Sequence, residues 1–299
     1  MSLILALLLQ VGPNPMSGGL TNDDLVRDRP ARDLARPDGA KGEINATSAW
    51  LETCLDQLEE DPARAHTMAQ IRRSETRGTD RVLANHCLGT ASSELGLWDD
   101  ARTAFVAARE ETPLGEPRTR ARFAALAGNA ALASGDAAGA LDLLMLAETD
   151  ARAAGSAPLE AIAATDRARA LVALGRGEDA LGALEAATTL APERAEGWLL
   201  KATLLRRLDR LGEAQTAIER AALVAPGNPD IGLEAGVIAV LAGRDEAARA
   251  SWQSVLDLAP DSPAAATAKD YLAQLGPAGD TVAAPSPPQD EEPQEEPES

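Results

Sequence analysis

Apolar residues recur every three or four positions along most of this chain, which is the period of a helix that buries one face. The pattern is first clear at Trp50, Leu51, Cys54, Leu55 and Leu58, and no segment shows the period-two alternation of a strand. Aromatic residues make up only 2% of the chain and alanine is abundant, a composition that favours closely packed helices. The pattern therefore predicts an all-α protein.

A second and much longer period is superimposed on the helical one. Three prolines and three alanines each recur at intervals of 34 residues: Pro192, Pro226, Pro260, Ala180, Ala214 and Ala248. Self-similarity at a fixed spacing in this range is typical of solenoids, in which small units stack and each contacts only its neighbours. The pattern predicts a stack of helical units rather than one central core.

The markers of one unit follow one another in the order Leu88-Gly89, Gly96, Ala101, Phe105, Ala108 and Pro113. The same offsets, with some replacements, recur in the units that follow. This series resembles the tetratricopeptide repeat family over residues 48 to 276, and most strongly over residues 81 to 260. The resemblance implies a right-handed α-solenoid of about six helical hairpins with a C-terminal capping helix.

The resemblance also divides the chain. The implied hairpins lie near 48–80, 81–115, 121–154, 161–194, 195–228 and 229–262, and a cap follows at 263–276. Residues 20–47 and the acidic, proline-rich residues 277–299 have little to bury, so we predict that both are disordered. Two insertions between units, at 116–120 and 155–160, are expected to lengthen a loop or add a turn of helix.

Small residues at two positions of each unit predict where helices come closest. We expect the glycine late in the first helix, as at Gly89 and Gly236, to face the alanine early in the second helix. A bulky residue four positions after that alanine, such as Phe105 or Trp252, is expected to fill the space between units. Enlarging the small residues would cost about 1–3 kcal/mol through overpacking.

Residues 1–19 begin with an apolar run, at residues 2–9, that is too short to span a bilayer. Its length matches the core of a signal peptide, although no Lys or Arg precedes it and no clear cleavage site follows. The alternatives are a short N-terminal helix or a chain that starts at Met16. We favour a periplasmic or secreted location slightly over a cytoplasmic one.

The two cysteines, Cys54 and Cys87, are 33 residues apart, close to one repeat length. On the repeat frame both fall on the first helices of neighbouring hairpins, so a disulfide between them is geometrically conceivable. Such a bond needs Cα atoms within about 7 Å and an oxidising compartment. The alternative interpretation is a pair of small buried apolar side chains.

The formal net charge of −19 limits the class of partner. Nucleic-acid binding needs clustered Lys and Arg, and docking on anionic lipid needs the same, so we predict neither. A protein or peptide remains as the partner, and the sequence does not indicate an oligomeric state.

In the proteins that this chain resembles, the inner faces of the first helices form the binding groove. On this frame the groove residues are His86, Thr90, Asn129, Arg169, Thr203, Arg206 and Arg207. Because guanidinium groups bind carboxylates, the three arginines favour an acidic or C-terminal peptide, although the family's carboxylate clamp is not reproduced. The other interpretation, which we prefer, is that Arg206 and Arg207 solvate a helix face or pair with Asp209 and Glu213.

Seven acidic residues lie between Asp280 and Glu298. Two roles fit them: the tail folds back onto the groove arginines until a partner displaces it, or it solvates the end of the chain. We favour the second role.

The sequence contains no P-loop, nucleophile elbow or dinucleotide-binding turn, and His66 and His86 lie outside any metal-ligand motif. We therefore predict no enzyme activity, cofactor or metal site. The predicted function is a scaffold that docks a protein segment in its groove. Two alternatives stay open: a structural component of an exported envelope assembly, and a regulatory subunit of a separate enzyme.

Overall fold

The computed structural model describes residues 46–276, and within this range it contains helices and no strands, which confirms the predicted all-α solenoid. The helices are α1 (Ala46–Glu60), α2 (Pro62–Glu75), α3 (Thr79–Glu94), α4 (Trp98–Glu111), α5 (Pro117–Ala133), α6 (Ala137–Ala153), α7 (Ala157–Ala173), α8 (Gly177–Leu190), α9 (Ala195–Arg207), α10 (Leu211–Val224), α11 (Pro229–Leu241), α12 (Asp245–Leu258) and α13 (Pro263–Leu275). The predictions for residues 1–19, 20–45 and 277–299 lie outside the described residues.

Consecutive helices pack in pairs, and the pairs pack on one another. The hairpins are α1–α2, α3–α4, α5–α6, α7–α8, α9–α10 and α11–α12, and each second helix also contacts the first helix of the next hairpin. From α5 onward the first helices also contact one another in the order α5, α7, α9, α11 and α13. We call this the inner row. It holds most of the predicted groove residues.

In five of the six hairpins, the turn between the two helices has the same structure. In α3–α4 the backbone N–H of Leu97 donates to the carbonyl of Ser92 at 2.8 Å, around Gly96 with a φ of 71°. This is a Schellman motif, which ends a helix by satisfying its last carbonyls and needs a left-handed residue. Gly135, Gly175 and Gly243 repeat it, but in α9–α10 the residue at this position is Asp209, with a φ of 59°.

Prolines end most of the second helices. The helices α4, α8, α10 and α12 each stop two residues before a proline, because proline cannot continue the hydrogen-bond ladder. Helix α6 has no such proline and runs for 17 residues, to the turn at Gly155 with a φ of 60°.

The inter-unit insertions extend helices rather than loops. Helices α5 and α7 have 17 residues each, whereas α9 has 13. The added turn of α5 carries Arg120, whose Nη1 donates to the carbonyls of Arg109 at 2.9 Å and Thr112 at 3.0 Å. The insertion therefore caps the C-terminal end of α4.

The glycines of the first helices are covered by the bulky residue of their own hairpin. A Cβ on Gly89 would lie 2.6 Å from the ring of Phe105, one on Gly128 would lie 2.6 Å from Leu144, and one on Gly236 would lie 2.1 Å from Trp252. The three atoms nearest to each glycine thus belong to the bulky residue, which the repeat pattern assigned to the space between units. Alanine is small enough to bring the helices together, but the ring or Leu side chain fills the gap that glycine leaves.

Cys54 on α1 and Cys87 on α3 are joined by a disulfide, with their Cα atoms 6.4 Å apart. Both side chains are fully buried. The bond connects the first helices of two neighbouring hairpins.

Candidate functional site

The candidate site is the inner row together with the preceding first helix, α3, which carries His86 and Thr90. His86 packs edge-on against Phe123 of α5, with ring centroids 5.4 Å apart. Burial and the nearby Arg122 lower the pKa of its imidazole to about 4. Thr90 is buried and donates to the carbonyl of His86 at 3.0 Å. Thr90 is therefore not available at the surface, whereas His86 is half-buried and packs against the next repeat.

A buried chain of polar side chains links the middle of the row. Asn129 on α5 donates from Nδ2 to Asp166 Oδ2 on α7 at 3.0 Å. Arg169, one turn further along α7, pairs with Asp166 and also with Glu196 of α9. Asp166 and Arg169 are 1% and 7% exposed, so the arginine is neutralised by the protein itself.

The ionisation of Asp166 is shifted by this environment. Burial raises the pKa of its carboxyl, Arg169 lowers it, Glu196 raises it and the Asn129 amide lowers it, and the net pKa is about 6. Because a charge out of water is costly even when paired, burial outweighs the arginine.

The position of Arg206 differs from both interpretations that the sequence offered. Its side chain is fully buried and pairs with Glu234 of α11, from Nε to Oε1 at 2.6 Å and from Nη2 to Oε2 at 3.3 Å. It therefore does not solvate a helix face, and Glu213 instead pairs with Arg210 at 2.7 Å. Paired in this way, Arg206 joins two inner helices and is not available at the surface for an acidic peptide.

Thr203 and Arg207 differ from the other predicted groove residues. They line a cavity of about 50 Å³ between α7, α8 and α9, whose walls are otherwise largely aliphatic. Arg207 is exposed and forms no ion pair with the described residues. The Oγ1 atom of Thr203 is buried and has no hydrogen-bond partner among them. Of the predicted groove residues, these two and Arg169, through its buried Nε, therefore have unused polar groups beside the cavity.

The acidic residues of the row, Asp166, Glu196 and Glu234, were not predicted. A signal for two of them was present, because Asp166 and Glu234 occupy the same repeat position two repeats apart, inside alanine- and leucine-rich helices. A carboxylate in such a setting needs a buried partner. Which arginine supplies it depends on the inter-helix geometry, which spacing does not give.

Residues 46–276, the part of the chain that the structure describes, contain neither a metal-binding cluster nor a helix suited to span a membrane. No group of His, Cys, Asp or Glu side chains in this range is arranged to hold a metal ion. No helix in it combines the length and apolar character of a membrane span.

The stacked hairpins with a row of inner helices define a helical-repeat protein. Residues 165–214 and 199–263 both match the family model of the tetratricopeptide repeat. The stretch that these matches cover, residues 165–263, therefore belongs to the tetratricopeptide repeat family, as the marker residues implied. No curated protein sequence matches it.

Solved structures share this fold. PilW, described as a widely conserved type IV pilus biogenesis factor, aligns with a TM-score of 0.59 and 15% identity over 75% of this chain and 98% of its own. PilF of Pseudomonas aeruginosa aligns with a TM-score of 0.57 and 14% identity over 76% of this chain and 98% of its own. At these identities the likeness shows the fold alone.

Proposed function

We propose that this protein is a non-enzymatic scaffold that binds a segment of a partner protein along the inner row. One fold hosts many functions, so the proposal depends on the site. The observation that carries it is the cavity between α7 and α9, where a buried hydroxyl and an exposed guanidinium have no partner among the described residues.

The apolar part of the inner row supports the proposal. Val172, Leu200, Leu233 and Val240 lie on successive inner helices and are only half-buried. Helical grooves of this kind bind extended or helical peptides through apolar contacts and a few polar ones. Because Arg169 and Arg206 are paired internally, specificity for acidic peptides rests on fewer charges than the sequence suggested.

Site-specific photocrosslinking tests the proposal. A photoreactive phenylalanine analogue is placed at the exposed inner-row positions Ala173 and Arg207 and, as a control, at Thr216 and Glu219 on the outer helix α10. We expect a cross-linked partner from the inner positions and not from the outer ones. Equal cross-linking from both faces would contradict the proposed groove.

A second candidate function, a structural role in an exported envelope assembly, is favoured by the disulfide. Disulfides persist in oxidising compartments and are rare in the cytosol, and Cys54 and Cys87 are bonded. Cell fractionation and mapping of the mature N-terminus test this candidate. We expect a mature chain cleaved before about Asn22. A cytosolic, uncleaved chain with free thiols would contradict it.

A further inference from the structure

The cavity between α7, α8 and α9 is small, and its size limits which side chain of a partner it can hold. Ala168 and Val172 of α7, Leu184 of α8, and Leu200 and Leu204 of α9 supply its aliphatic surface. A cavity of about 150 Å³ holds benzene, so one of about 50 Å³ suits two or three carbon atoms. That matches the side chain of valine, which has three carbon atoms.

The hydroxyl of Thr203 is oriented differently from those of other buried helical threonines. Thr90, Thr165 and Thr188 each donate to the carbonyl four residues earlier, at 3.0, 2.8 and 2.8 Å. Thr203 makes no such bond, and its Oγ1 is buried at the cavity wall. Because a buried polar atom without a partner is costly, a bound group that supplies a hydrogen bond would be favoured there.

Arg207 lies one helical turn beyond Thr203, so both side chains are on the same face of α9. The other arginine of the cavity wall, Arg169, is paired with Asp166 and Glu196. Arg207 forms no ion pair within residues 46–276. The positive charge at the mouth of the cavity is thus balanced by no neighbouring carboxylate in that range.

We propose that this cavity is an anchor pocket for a partner segment in which a valine is followed or preceded by an acidic residue. The small aliphatic side chain fills the cavity, Thr203 Oγ1 hydrogen-bonds the segment's backbone, and Arg207 binds the adjacent carboxylate. This inference rests on the proposed function, because it assumes that the inner row binds a protein segment. It adds the chemistry of one position of that segment.

Capped tetrapeptides test the pocket on the full-length protein. The probe is acetyl-Ser-Val-Glu-Ser-amide, followed by methyl NMR of Val172, Leu184, Leu200 and Leu204. We expect saturable shifts of these methyl groups. Replacing the valine by glycine should weaken binding roughly fiftyfold, because about three buried carbon atoms are lost. Replacing the glutamate by glutamine should weaken it about two- to fivefold, as for an exposed ion pair.

Two matched pairs of variants assign these effects to the pocket. Thr203→Val should weaken binding of the probe several-fold, and Thr216→Val on the outer helix α10 should leave binding unchanged. Arg207→Gln should abolish the preference for glutamate over glutamine, and Arg220→Gln, also exposed on α10, should keep it. Circular dichroism confirms that each variant is folded before binding is compared.

Three results would overturn the assignment. The first is equal binding of the valine and glycine probes, and the second is a set of shifts confined to methyl groups outside the cavity. The third is probe binding that appears only after residues 277–299 are deleted, since the chain's own tail would then be the occupant. If the pocket variants still cross-link a partner through Ala173, the proposed function stands and only the anchor is wrong.

Discussion

Single glycines decide how closely the two helices of a hairpin approach. Gly236 has no room for a methyl group, because the indole of Trp252 lies over it. The indole Nε1 donates to the carbonyl of Leu233 at 3.1 Å. Trp252 is 1% exposed, so the ring has little space in which to move. This close contact explains why a glycine is retained inside a helix, where its flexibility costs stability.

Gly236→Ala is therefore expected to lower the free energy of unfolding by about 1–3 kcal/mol, since the indole must shift and its hydrogen bond lengthens. Gly182→Ala is the control, because Gly182 is exposed within α8 and an added Cβ meets nothing within 4 Å. That change should raise stability by about 0.5–1 kcal/mol. Urea unfolding measures both, and a loss of equal size in the two variants would contradict the packing explanation.

The buried carboxyl of Asp166 predicts a pH dependence of stability. Its pKa is raised to about 6 from an ordinary 3.8, so between these values the folded chain keeps a proton that the unfolded chain has lost. This contribution is complete below pH 3.8 and is lost as the pH rises through about 6.

Asp166→Asn imitates the protonated carboxyl and should remove this dependence. From pH 4 to pH 7, wild type should lose about 1–3 kcal/mol of unfolding free energy relative to the variant. Asp179→Asn is the matched control, because Asp179 forms an exposed pair with Arg176. Chemical unfolding at the two pH values checks the difference, and parallel pH profiles for wild type and Asp166→Asn would refute it.

Among the elements, the α9–α10 turn departs from the others. Asp209 adopts a φ of 59° where four other hairpins have glycine, and left-handed backbone is unfavourable for residues with a Cβ. Asp209→Gly should therefore raise stability by up to about 1 kcal/mol, with the reverse effect for Gly175→Asp. Thermal unfolding compares the two, and stabilisation by both changes would show that turn backbone is not the cause.

The sequence predicted where helices end better than it predicted which side chains meet between helices. Prolines and turn glycines act through their own backbone, so the ends of α8, α10 and α12 could be predicted from spacing alone. The partner of Arg206 could not, because Glu234 lies on another helix and its distance is set by how the hairpins stack. For the same reason, the spacing assigned Thr203 to a first helix but did not show that its hydroxyl lacks a partner.

At the scale of the whole molecule, stability is divided among neighbouring hairpins. In a solenoid each unit is stabilised mainly by its own packing and by the next interface. The buried pairs Arg169–Glu196 and Arg206–Glu234 cross two such interfaces in the inner row. At the N-terminal end, where α1 contacts α2 and α3, the disulfide links two neighbouring hairpins in the same way.

Reduction of the Cys54–Cys87 bond should therefore destabilise the first hairpin and leave the distant ones intact. The bond closes a loop with a sequence separation of 33 residues, for which the chain-entropy model gives about 3–4 kcal/mol. Hydrogen exchange with and without a thiol reductant should show faster exchange in α1 to α3 and unchanged exchange in α9 to α12. The Cys54→Ala, Cys87→Ala double variant should exchange like the reduced protein, and its exchange should not change when the reductant is added. Faster exchange along the whole chain would mean that the hairpins unfold as one unit, contrary to the nearest-neighbour description.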